Sequence, residues 1–96
     1  LNEPSTVKII TVHAGKKLSL QTHAHRDEFW CIIAGTGFVT IGNETKEARP
    51  GDEFYAPRGT KHRVAASAET VRFLEICFGD FNEKDEIRIE DDYGRA

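Results

Sequence analysis

Glycine and proline cut this chain into short β-branched and aromatic runs, and no ten-residue window carries a convincing helical period, so the fold class is all-β. Residues 6–12 are dense in valine and isoleucine between Pro4 and Gly15 and read as a first strand; residues 18–25 read as the second. Residues 28–34 form a third, closed by Gly35-Thr36-Gly37, and residues 38–41 a fourth, closed by the two-residue hairpin Gly42-Asn43. Residues 44–48 pair back from it, and Pro50-Gly51 falls where a type II turn wants proline and then glycine. Residues 53–56, 62–66 and 71–78 complete a set of eight short strands, which indicates a sandwich or a barrel. Residues 80–86 have room for one helical turn, and residues 87–90 read as a last edge strand.

A chain of 96 residues makes one domain, 1–96, and buries only ~60–68% of the surface its unfolded form exposes. A net charge of −3 with both signs mixed offers no basic stripe to a nucleic-acid backbone, so no nucleic-acid partner is expected. No run approaches the roughly 18 apolar residues of a membrane span, and Leu1-Asn2-Glu3-Pro4 lacks the pattern of a signal peptide; the expectation is a cytoplasmic protein without a membrane partner. Cys31 and Cys77 both lie inside apolar runs and read as buried free thiols.

The chemistry concentrates in Gln21-Thr22-His23-Ala24-His25-Arg26-Asp27-Glu28. Alternation along a strand puts His23 and His25 on one face, roughly 6.5–7 Å apart at Cα. A reversal at Arg26-Asp27 would return Glu28 to the same place. His62, in Pro57-Arg58-Gly59-Thr60-Lys61-His62, supplies the fourth member of a candidate metal cage of His23, His25, Glu28 and His62. Imidazole and carboxylate ligands suit one divalent transition metal ion, whether zinc, manganese, iron, nickel or copper. His13 lies outside this pattern and reads as a solvated turn residue. With Gln21, His23 and His25 inward, Leu18 and Leu20 face outward, as does Ile33 on the next strand. Strands apolar on both faces need cover on both, so a homodimer burying Leu18, Leu20 and Ile33 is expected.

These residues resemble the cupins, small jelly-roll β-barrels with two sequence motifs. Gly15, His23, His25, Glu28 and Gly35 follow the first motif across residues 15–35, with seven residues after Gly15 and only two between His25 and Glu28. Gly51, Pro57, Gly59 and His62 follow the second across residues 51–66, with Ala66 where asparagine is usual. A narrower resemblance runs through Gly15-Lys16-Lys17-Leu18-Ser19-Leu20-Gln21, the histidine segment with Trp30, Gly59-Thr60-Lys61-His62-Arg63 and Glu90-Asp91-Asp92-Tyr93-Gly94-Arg95. These segments look like the type II mannose-6-phosphate isomerase domain, which many bacteria fuse behind a mannose-1-phosphate guanylyltransferase. Phe29 stands where that family usually has histidine, Cys77 where it has glutamine, and the family's Arg-Pro-Trp-Gly opening is missing.

The resemblance implies a metal-dependent isomerase that interconverts mannose 6-phosphate and fructose 6-phosphate or a similar aldose and ketose phosphate. Such chemistry needs a polarised carbonyl, a base that moves a proton between C1 and C2, and cations for the phosphate. Glu75 interrupts an otherwise apolar strand between Phe73 and Cys77 and is the candidate catalytic base, its pKa raised by burial. Lys17, Arg26 and Lys61 are candidate phosphate cations near the mouth. Gln21 and Trp30 face the pocket by alternation and are placed to bind a sugar ring. Two other functions fit the same residues: a metal-dependent cupin dioxygenase, and a non-catalytic sugar-binding module.

Overall fold

Two antiparallel sheets face each other in the computed structural model, which describes residues 5–79 in full and residues 86–90 as backbone. The strands are β1 (Ser5–Val12), β2 (Leu20–His23), β3 (Arg26–Ala34), β4 (Gly37–Ile41), β5 (Glu44–Ala48), β6 (Glu53–Ala56), β7 (His62–Ala66), β8 (Val71–Gly79) and β9 (Glu86–Glu90). One sheet has the order β1-β8-β3-β6 and the other β5-β4-β7-β2-β9. Strands alternate faces, and one row from each of β3, β4, β7 and β8 enters the space between the sheets. There Val12, Trp30, Ile32, Val39, Val64, Val71 and Phe73 form a single buried cluster drawn from both sheets. The sandwich read from the sequence is present, with residues 87–90 inside β9 at a sheet edge. Among the described residues there is no helix; residues 80–85, where a helical turn was allowed, lie outside them.

The turns carry out the local chemistry of their residues. Gly42 adopts φ 64° in the tight link that pairs Ile41 with Glu44. The Asp52 amide donates to the Arg49 carbonyl at 3.0 Å, closing the Pro50-Gly51 turn with Gly51 at φ 92°.

One reversal differs from the sequence reading, and it moves a candidate ligand. The second strand ends at His23 and the third starts at Arg26, so the chain crosses between sheets over Ala24 and His25 instead of turning at Arg26-Asp27. Long-range contacts decide this. Asp27 accepts the Arg58 backbone N–H at 2.9 Å and pairs with the Arg58 guanidinium at 3.4 Å, which holds residue 27 in strand β3. Arg26 sits opposite Gly79, where a Cβ would collide with the His25 carbonyl oxygen. Gly79 also has φ 113°, a conformation that side chains resist. Gly79→Ala is therefore expected to destabilise the fold by about 2 kcal/mol or more, read as a lower midpoint in urea unfolding; an unchanged midpoint would show that the crossing does not depend on this glycine.

The expected outer faces divide in two. Ile33 is exposed, as are Val7, Ile9, Tyr55 and Phe78 on strands of the same sheet. Leu18, expected to face outward, instead packs against the core, because residue 18 precedes strand β2 and its N–H donates to the Val64 carbonyl at 2.9 Å.

Candidate metal centre

His23, Glu28 and His62 meet inside the sandwich, with donor atoms all within 4.8 Å of one another and all three side chains buried. Each comes from a different strand. His23 ends β2, Glu28 is the third residue of β3, and His62 opens β7 directly opposite Gln21. The turn before His62 is fixed to the end of β2 by a 2.7 Å hydrogen bond from the Gly59 amide to the His23 carbonyl, and within itself by Thr60 N–H to the Pro57 carbonyl at 3.2 Å. The Arg58 contacts with Asp27 fasten the same turn to β3. The Pro-x-Gly-x-x-His segment thus serves as a clamp that seats one imidazole beside the other, with ring centroids 5.0 Å apart.

Glu28 is the hub. Its Oε2 lies 3.0 Å from His23 Nε2, and its Oε1 lies 3.9 Å from His62 Nε2 and accepts the Trp30 indole N–H at 3.2 Å. Burial works against its charge, but the hydrogen bond with His23, the positive potential of both imidazoles and a hydrogen bond with Glu75 outweigh it and hold the carboxyl down at about 2. Glu75 has the opposite fate. It is buried beside Glu28 on the neighbouring strand, and burial, the Glu28 charge and their shared hydrogen bond push its carboxyl up to about 7. The Cys77 thiol donates to Glu75 Oε2 at 3.5 Å, and burial next to two carboxylates pushes that thiol up to about 12. Glu28, Glu75 and Cys77 also have donor atoms mutually within 4.8 Å.

The donor set fits a transition metal ion. Two imidazoles and a carboxylate are borderline ligands of the right type, and the 3.0 Å between His23 Nε2 and Glu28 Oε2 is about the spacing of two atoms bound to one ion. The Nδ1 nitrogen of His23 is also buried without a hydrogen-bond partner, so the protein leaves part of this ring for something else to satisfy.

The structure distributes the other candidates unevenly. His25 is exposed on the crossing between β2 and β3 and is not gathered with His23, Glu28 and His62, because the strand ends before it. Arg26, expected at the mouth, is 5% exposed and turned inward: its Nε donates to Glu28 Oε2 at 3.2 Å and its Nη2 lies 3.0 Å from His23 Nε2. Starting β3 at residue 26 puts residues 26, 28 and 30 on one face, which is the physical reason. Trp30 is both core and site, edge-on to His62 at 5.2 Å and to Phe73 at 5.7 Å. Gln21 is half-buried and donates to Ser19 Oγ at 2.6 Å, while Lys17 and Lys61 are half-buried at either side of strand β7's start and end. The sequence reading passed over Lys8, which sits opposite Glu75 across β1 and β8 and favours its ionised form against the larger effects of burial and Glu28. Its one trace in the sequence is that residues 6, 8, 10 and 12 share a strand face.

Comparison with known proteins places this architecture. The family model described as the mannose-6-phosphate isomerase C-terminal domain matches residues 1–91. Mannose-1-phosphate guanylyltransferase ManC of Salmonella typhimurium is 40% identical over 92 residues, covering 94% of this chain. The match spans 19% of that protein's own length. Among solved structures, a Klebsiella pneumoniae protein with a double-stranded beta-helix domain superimposes with a TM-score of 0.80 at 22% identity, over 94% of this chain and 78% of that one. A cupin protein of Bacteroides fragilis gives 0.72 at 27% identity, over 88% and 77%.

Proposed function

Because this chain belongs to the family of mannose-6-phosphate isomerase C-terminal domains, we propose that it is a metal-dependent isomerase interconverting mannose 6-phosphate and fructose 6-phosphate, or a closely similar aldose and ketose phosphate. One observation carries the reading: a buried metal-type donor set of His23, Glu28 and His62 lies against a second carboxylate, Glu75, whose proton affinity is matched to neutral pH. A metal ion held by the three donors would supply Lewis-acid polarisation of the sugar carbonyl and its neighbouring hydroxyl. Glu75, ionised, takes the proton from C2 of the aldose and returns it to C1, while the C2 hydroxyl proton passes to the C1 oxygen, which gives the ketose. The Cys77 thiol donates to Oε2 of that carboxylate and orients it. Trp30 walls the site and keeps Glu28 turned toward the histidines through its indole N–H. Lys17 and Lys61 are the proposed phosphate cations, and Gln21 the proposed sugar hydrogen-bonding residue.

The test is conversion of mannose 6-phosphate to fructose 6-phosphate by protein loaded with each candidate metal. A second reading has its own support, since two histidines and one carboxylate are also the ligand set of oxygen-using iron enzymes. Oxygen consumption by the iron-loaded protein, without sugar-phosphate turnover, would select it; binding of mannose 6-phosphate with neither activity would point to a sugar-binding module.

We also propose a homodimer formed through the outer face of the β1-β8-β3-β6 sheet, where Val7, Ile9, Ile33 and Phe78 are exposed together. Ile9→Lys is expected to give a monomer in analytical ultracentrifugation where the unaltered protein sediments as a dimer. A monomeric unaltered protein at micromolar concentration would reject this surface.

A further inference from the structure

Beside the three donors sits a positive charge that the chain itself supplies. The Arg26 guanidinium is buried and reaches two of the three at once, Glu28 Oε2 through Nε at 3.2 Å and His23 Nε2 through Nη2 at 3.0 Å. An arginine nitrogen can only donate, so in the tautomer with its proton on Nδ1 the contact engages the lone pair of His23 Nε2, in place of a hydrogen bond from that nitrogen to Glu28. That lone pair and the neighbouring carboxylate oxygen are what a metal ion at this site would take, and they lie 3.0 Å apart facing one guanidinium. A ring nitrogen has a single lone pair, so His23 Nε2 cannot hold the guanidinium and a metal ion at once.

We propose that Arg26 is a built-in competitor for the metal seat: a divalent ion binds His23 and Glu28 only as the guanidinium leaves them, so Arg26 sets the metal affinity of the site. The inference rests on the metal reading above. Its consequence is a tax on affinity equal to the free energy of withdrawing Arg26, and the released guanidinium becomes a mobile cation on the strand that carries Glu28.

Zinc titrated into chelator-stripped protein, followed by calorimetry, tests this. Arg26→Gln is expected to bind zinc about tenfold to a hundredfold more tightly than the unaltered chain, the scale of one charge-assisted hydrogen-bonded pair. Arg26→Lys, which keeps the charge but not the two-pronged reach, should gain less and guards against a glutamine variant that does not fold. Phenylglyoxal labelling read at Arg26 by mass spectrometry separates displacement from a simple charge effect: Arg26 should be protected in stripped protein and modified once zinc is bound. Equal or weaker zinc binding by both variants, or an Arg26 that stays protected with zinc bound, would overturn the competition while leaving the metal site intact. Absence of zinc binding by the unaltered chain and both variants would overturn the metal reading and this inference together.

Discussion

Glu75→Gln is expected to lower isomerase turnover by ~10²-fold or more while leaving metal content and fold unchanged, since glutamine keeps the shape and loses only the ability to take a proton. The expectation follows from position. Glu75 lies on β8 opposite Trp30 of β3 and beside Glu28, buried on the inner face of the sheet, where a carboxylate is costly unless it is protonated or paired. Its carboxyl is pushed up to about 7, so the ionised form that acts as base dominates only above that value. Turnover of the unaltered protein should rise with pH through about 7, and the residual turnover of the variant should lack that step. The sign for stability is the reverse. A carboxyl raised from 4.5 to about 7 on folding stabilises the fold fully below 4.5, and that contribution is lost as pH rises across the interval. Metal-stripped protein should therefore lose stability between pH 4.5 and 7, and Glu75→Gln should lose less. Full turnover in the variant would make Glu75 a structural group.

The second large effect belongs to Glu28. Glu28→Ala should abolish metal binding and destabilise the metal-stripped protein by about 3–5 kcal/mol, the scale for removing one partner of a buried ionic cluster. The change leaves the buried Arg26 guanidinium and the Trp30 indole N–H without their common acceptor, and the two imidazoles without the carboxylate beside them. Because its carboxyl is held at about 2 instead of 4.5, Glu28 contributes stability that is complete above pH 4.5 and lost as pH falls toward 2. Urea unfolding measures the first effect and its pH dependence the second. A variant within 1 kcal/mol of the unaltered protein would show that the cluster is a surface-like arrangement of little energetic weight.

The strands were legible because alternation and turn residues are local: Gly42-Asn43 and Pro50-Gly51 close the tight turns where their chemistry predicts. Glu75 was legible for a related reason, being the charged residue on the inner face of β8, between Phe73 and Cys77. The end of β2 was not. Arg26-Asp27 has the better local turn residues, yet Asp27 is held in β3 by Arg58, 31 positions away in sequence, and Gly79 opens room for the His25 carbonyl from farther still. A shift of two residues in that reversal carried His25 to the exposed turn and Arg26 into the site, since a strand face is set by where the strand starts. Lys8 escaped notice because its relation to Glu75 is a register between β1 and β8, which no local pattern announces.

The most direct measurement is a single assay: fructose 6-phosphate formed from mannose 6-phosphate by the protein as isolated, after chelation, and after adding back each divalent transition metal. Metal-dependent isomerisation at the buried cluster predicts turnover that disappears on chelation and returns with at least one metal. Turnover that persists in fully stripped protein, or none with any metal restored, would contradict it.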